Sequence, residues 1–193
     1  KRAVEFEFVG EAFYEFFLHH KKIYVNSDEA IERNNRVYLP TADVEEVLIQ
    51  KARVITSKGK VIELDKDDIL EAEDEESKVT YQYFALEGVD KGSEIEYFYY
   101  LKRSAEMSGQ RMTFQDDVPS KELKFAIVSP DHLEFEFKSL NGFPDMIEDT
   151  IIEDKNRWYA DVNDIRELKD EPMSAYETSL QAVMYKLASN TYS

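Results

Sequence analysis

The sequence has 193 residues, of which 42% are hydrophobic, 34% charged and 13% aromatic, enough to bury a core and too apolar for a disordered chain. Its net charge of −17, from 24 Lys+Arg against 41 Asp+Glu, repels phosphate backbones and anionic membranes and argues against nucleic acid as a partner. With no cysteine the chain holds no thiol nucleophile, disulfide or thiolate metal site, and no stretch approaches the roughly 18 apolar residues of a spanning helix, so no membrane insertion is expected.

The main signal along the chain is alternation of apolar and polar residues with period two. Val4, Phe6 and Phe8 alternate with Glu5 and Glu7, and Ile23 and Val25 flank Tyr24. Val44 to Ile55 carries Val47, Ile49, Val54 and Ile55, and Ser57-Lys58-Gly59-Lys60 then predicts a tight hairpin into Val61. Asp65 to Leu70 suits one short helical turn. Val79, Tyr81 and Tyr83 begin the next strand, which Asp90-Lys91-Gly92-Ser93 separates from Ile95, Tyr97 and Tyr99. Further strands run through Leu123, Phe125 and Ile127, then Leu133, Phe135 and Phe137 up to Asn141-Gly142, then Trp158, Ala160 and Val162. Asp164 to Tyr176, with Pro172 and little periodicity, reads as an extended surface connector. Ala182 to Leu187 reads as a final strand, although Leu180, Val183, Met184 and Leu187 also fit loose helical spacing.

One-sided strands joined by short turns predict an all-β fold: a large antiparallel β-sandwich, or two packed β lobes, with little helix. The domain division expected is 1–163 as the sandwich and 164–193 as the connector and last strand, leading towards a further C-terminal domain.

Few constellations carry chemistry. Asp65, Asp67, Glu71 and Glu76 fall at calcium-loop spacing, but Ile69 and Leu70 stand where such a loop needs an oxygen ligand and a glycine. They are weak calcium candidates, and a solvated acidic loop is the simpler reading. His19 and His20 are adjacent, so on a strand they point to opposite faces and cannot share one metal; His132 is isolated in sequence. There is no Gly-x-Ser-x-Gly elbow and no phosphate-binding glycine loop among the 6 glycines. The 41 acids offer too many pairs for any one to mark a carboxylate enzyme. No catalytic residue and no cofactor is therefore expected. The run Tyr97-Phe98-Tyr99-Tyr100 offers Tyr97, Tyr99 and Tyr100 as a possible surface for a protein or glycan ligand, against the alternative that it fills the core and supports cross-strand pairs.

Three stretches taken together carry a family resemblance: Val54 to Leu64 running into Asp67-Asp68-Ile69, Phe84 to Tyr97 with its Gly88-Val89-Asp90-Lys91-Gly92-Ser93 centre, and Trp158 through Asp164-Ile165 to Glu171-Pro172-Met173. The chain, from about Lys21 to Ser189, resembles the uncharacterised domain found N-terminal to transglutaminase-like, papain-type cores in exported bacterial proteins. The resemblance implies an all-β module whose partner is its own C-terminal transglutaminase-like domain, where a Cys-His-Asp triad would lie; none of those residues maps onto this chain. It also implies a periplasmic or cell-surface location in a Gram-negative bacterium. The start at Lys1-Arg2-Ala3, without Met, fits a processed fragment. The function expected is a non-catalytic scaffold or recognition domain, with a stand-alone carbohydrate- or protein-binding, adhesin-like β module as the alternative.

Overall fold

The computed structural model describes residues 1–40, 43–73 and 80–191. The strands are β1 (Arg2–Val9), β2 (Ala12–Tyr24), β3 (Arg36–Leu39), β4 (Glu46–Ile55), β5 (Val61–Leu64), β6 (Ile69–Glu73), β7 (Thr80–Ala85), β8 (Glu94–Ser104), β9 (Gln110–Thr113), β10 (Ser120–Pro130), β11 (Leu133–Leu140), β12 (Ile147–Asp149), β13 (Lys155–Ile165) and β14 (Ala182–Asn190). Two short helices, α1 (Asp28–Asn34) and α2 (Tyr176–Ser179), and a 3-10 turn at Lys66–Asp68 complete the elements. With 58% strand against 8% helix the protein is all-β, as the alternation predicts. Val79, where the run through Tyr81 and Tyr83 was expected to begin, lies outside the described residues.

The chain divides into two compact units, Lys1–Phe16 with Ala105–Ser193, and Phe17–Ser104, so β2 starts in the first and ends in the second. Each unit is a two-layer sandwich. In the first, strands in the order β12-β13-β10-β1-β2 form one layer and β11-β14-β9 the other. Phe6 of β1 stacks on Phe135 of β11 with ring centroids 4.7 Å apart, and Trp158 of β13 meets Phe137 of β11 at 5.3 Å. Burying one apolar face of each sheet against the other supplies the driving force. Ala182, Val183 and Tyr185 of β14 are buried in this core, so the last apolar run is a strand. The segment between Ile165 and α2 runs beside residues 115–117, where the Leu168 N–H donates to the Asp116 carbonyl at 3.0 Å.

One pair departs from an antiparallel sandwich. β1 lies parallel to β10, with Arg2 opposite Phe125 and Glu5 opposite Val128. Parallel neighbours need a long crossover, and here more than a hundred residues of chain, including the whole second unit, separate the two strands.

In the second unit, β2-β8-β4-β5 packs over β3-β7-β6. Val37, Leu39, Val54, Phe84, Ile95 and Leu101 form its core. The hairpin at Ser57–Lys60 forms as expected, the Thr56 N–H donating to the Lys60 carbonyl at 2.9 Å. Helix α1 lies where alternation predicted no element. Ser27 caps it by accepting from the Ala30 N–H at 3.1 Å, and Ala30 and Ile31 pack on the core.

Candidate binding surface

The aromatic run of β8 obeys strict alternation, and this separates the residues expected to act together. Ile95, Tyr97, Tyr99 and Leu101 face the core of the second unit. Tyr99 is only 8% exposed and its hydroxyl meets His19 Nδ1 at 2.8 Å, with the two rings 5.0 Å apart. Tyr100 lies on the opposite face, across from the exposed Ile49 of β4. The expected surface of Tyr97, Tyr99 and Tyr100 is thus divided: Tyr97 and Tyr99 pack towards the core and Tyr100 lies on the other face, so the three form no common platform.

His19 and His20 do point to opposite faces. His20 Nε2 donates to Glu96 Oε1 at 2.7 Å on the outward face, where Lys22 Nζ approaches at 3.1 Å and Arg53 pairs with the other oxygen. Burial pushes the Glu96 carboxyl up, but the hydrogen bonds from His20, Lys22 and Arg53 outweigh it and hold the group at about 2. In the first unit His132 stacks beside Phe8 at 6.0 Å. Among the described residues no three or more histidine and carboxylate side chains converge on a metal position. Asp65 and Asp67 belong to a helical cap: Asp65 accepts from the Asp67 N–H at 2.9 Å, and its own N–H donates to Asp68 at 2.9 Å. Glu71 accepts from Gln82 at 2.7 Å, and Glu76 lies outside the described residues.

Two arrangements were not foreseen from the sequence. The first is a latch at the centre of the Phe84–Tyr97 stretch. The Asp90 carboxylate accepts from the Ser57 N–H at 3.0 Å and from the hydroxyls of Ser57 and Ser93. Those bonds, Ser57's first, hold its carboxyl at about 2. Gly92, with φ +98°, donates to the Val25 carbonyl at 2.8 Å, and Gly88, with φ +70°, sits where a Cβ would lie 2.8 Å from Ile62 Cδ1. The loop is thereby tied to the β4–β5 hairpin and to the end of β2.

The second is the outward face of β3-β7-β6. Val37, Leu39, Ile69 and Phe84 take the core side, and strand alternation turns Arg36, Tyr38, Leu70, Ala72, Tyr81, Tyr83 and Ala85 outwards. Tyr38 and Leu70 stand directly opposite Tyr83 on either side. Tyr38 is 55% and Leu70 47% exposed. The three tyrosine rings lie 5.5 to 6.0 Å apart, tilted by 40° to 62°, and the Arg36 guanidinium stands 5.2 Å over the Tyr83 ring. A signal existed in the sequence: Tyr81 and Tyr83 alternate against Phe84, so β7 carries two aromatic faces and only one can be core.

A shallow depression of about 290 Å³ in the first unit is lined by Asp170, Ser174, Ala175, Tyr176, Glu177 and Thr178. Ser174 donates there to Asp170 at 3.2 Å, and no histidine lines it.

Two sandwiches whose sharpest sequence stretch is spent on a turn define a β module of uncharacterised type. The chain belongs to the family described as Domain of Unknown Function with solved-structure structure (DUF3857), which matches residues 17–169. In fold it is similar to a crystal structure described as "a putative protease" from Parabacteroides distasonis ATCC 8503, with a TM-score of 0.79 at 10% identity. That likeness covers 95% of this chain and 39% of the other, so the chain spans about two fifths of the length of its structural relative. No curated protein matches it.

Proposed function

We propose that the chain is a non-catalytic scaffold or recognition module of a larger exported protein of transglutaminase-like or cysteine-protease-like type. The observation that carries this reading is the asymmetry of coverage: nearly the whole fold, 95% of it, corresponds to a minor part, 39%, of a protein described as a putative protease. The chemistry of the chain is consistent with that. It has no cysteine to serve as nucleophile, and its best-defined polar cluster, Asp90 with Ser57 and Ser93, joins loops and contains no histidine or lysine, only a carboxylate that its hydrogen bonds make a weak base. A periplasmic or cell-surface location in a Gram-negative bacterium, and a C-terminal transglutaminase-like domain as partner, belong to the same proposal and rest on the sequence resemblance.

The test is turnover by the purified 193-residue chain on peptide, amide and acyl-transfer substrates. No activity is expected. Turnover that a single side-chain substitution abolishes would refute the reading. The second reading, an adhesin-like module binding a protein or glycan by itself, is favoured by one feature, the outward tyrosine face of β3-β7-β6, where Tyr38 is exposed and Tyr81 and Tyr83 are part-buried beside it.

A further inference from the structure

We infer that Asn141 is a gated deamidation site: its side-chain amide clamps the corner that leads into β14, and each opening of that corner exposes it to irreversible conversion to aspartate or isoaspartate.

The chemistry starts from the sequence pair. The side-chain carbonyl carbon of an asparagine can be attacked by the peptide nitrogen of the next residue. A Cβ on that residue crowds the nitrogen, and glycine has none. Asn141 precedes Gly142; every other asparagine precedes a residue with a Cβ, Ser27 after Asn26 being the smallest of them. In the reaction the Gly142 nitrogen bonds to Asn141 Cγ and gives up its proton, the Cγ–Nδ2 bond breaks, and the amide nitrogen leaves as ammonia. Water then opens the resulting succinimide at either carbonyl. One product is aspartate; the other is isoaspartate, in which the main chain runs through Cγ. Water is the only co-reactant.

The fold opposes the first step. Asn141 and Gly142 have φ of +55° and +84°, the signs that a type I′ turn needs at its two central residues. Asn141 Nδ2 donates to the Thr178 carbonyl at 2.7 Å and to the Leu180 carbonyl at 2.8 Å, which uses both hydrogens of the amide. Swinging Cγ onto the Gly142 nitrogen breaks both bonds. Arg111 braces the same corner, its Nη2 donating to the Glu177 carbonyl at 2.8 Å and to the Leu180 carbonyl at 3.4 Å.

The corner matters to the first unit on both sides. Leu180 is 4% exposed, and Ala182 pairs with Leu140 immediately before the turn. After the turn, the Phe143 N–H donates to the Leu140 carbonyl at 3.1 Å, and the Phe143 ring stacks on Phe114 at 4.5 Å. A carboxylate at position 141 has no hydrogen to donate and faces two carbonyl oxygens. Isoaspartate also lengthens the main chain between Leu140 and Phe143. Either product leaves the corner looser than before, so the change runs one way.

The experiment incubates the 193-residue chain at mildly alkaline pH, folded in buffer and unfolded in urea, and follows each asparagine by peptide mapping and mass spectrometry. In the unfolded chain Asn141 is expected to react before every other asparagine. In the folded chain it should react at least about tenfold more slowly, since two hydrogen bonds must open first. Arg111→Ala removes the brace and leaves the Asn-Gly pair intact; it should raise the folded rate severalfold and leave the unfolded rate unchanged. The deamidated fraction, separated by ion exchange, should melt at a lower temperature than fresh protein. The folded and unfolded rates of the unsubstituted chain decide the matter even if the variant fails to fold. Equal rates in the two states would show that no gate exists, and an earlier reaction at another asparagine in urea would remove the site. A folded Arg111→Ala protein with an unchanged rate would show that this corner is not the gate. An unaltered melting temperature after deamidation would show that the amide clamps nothing.

Discussion

Gly88 tests whether the family stretch is kept for packing. Replacing it by alanine places a side chain at φ +70° and a Cβ 2.8 Å from Ile62 Cδ1. The left-handed backbone costs a residue with a Cβ about 1–2 kcal/mol, of which the narrower unfolded ensemble of alanine offsets roughly 0.4–1 kcal/mol. Ile62 must also leave its rotamer, at about 0.5–1.5 kcal/mol. The expected loss is about 0.5–3 kcal/mol, centred near 2 kcal/mol. Gly59→Ala is the control: its φ is +79°, but its Cβ meets nothing within 4 Å, so it should lose about 1 kcal/mol less. Ile62→Val removes the clashing Cδ1. Alone it should cost about 0.5–1.5 kcal/mol, and in the Gly88→Ala background about 1 kcal/mol less than that, a coupling a double-mutant cycle resolves. Urea unfolding followed by far-ultraviolet circular dichroism measures all four variants. Equal losses at Gly88 and Gly59, with Ile62→Val strictly additive, would show that the close approach to Ile62 is not what requires glycine.

Asp90 is held at about 2 against an ordinary 3.8, so its contribution to stability is complete above pH ~4 and is lost as pH falls towards 2. Asp90→Asn should therefore flatten the fall of melting temperature across that window, and an unchanged slope would count against the latch. Glu96, at about 2 against 4.5, has the same sign. Glu96→Gln should flatten the profile between pH ~4.5 and 2 and make stability at neutral pH less sensitive to added salt, measured by thermal melts at two ionic strengths. Phe84, fully buried with Val37 and Ile69 as its cross-strand neighbours, should cost about 3–5 kcal/mol as alanine; amide exchange should accelerate in β3, β6 and β8, and a loss below about 1 kcal/mol would contradict the core described here.

How far the sequence discloses this structure depends on whether a feature is local. Alternation at Val4-Phe6, Leu123-Phe125-Ile127 and Leu133-Phe135 states strands directly, because a pleated chain must sort its side chains by parity. The pairing of β1 with β10 is invisible, since its partners lie more than a hundred residues apart and either orientation satisfies the same pattern. Helix α1 has a readable cap at Ser27 followed by Asp28 and Glu29, but at 7 residues it is too short for a helical period to emerge. The candidate surface shows the limit most clearly. Parity groups Tyr97 with Tyr99, and Tyr81 with Tyr83, equally well; it does not say which group is inside. That is decided by the second sheet, which covers Tyr99 and leaves Tyr83 facing outwards.

The same distinction separates what the family stretch reports from what it does not. Gly88, Asp90, Gly92 and Ser93 each make a bond or a close approach to Ile62, Ser57, Asp90 or Val25, so the fold of this chain accounts for them without any ligand. Residues that the fold demands are poor witnesses to function. Tyr38, Tyr81 and Tyr83 serve the fold less strictly: their rings pack 5.5 to 6.0 Å apart across β3 and β7 and so stabilise the sheet, but no single bond or close approach fixes their identity.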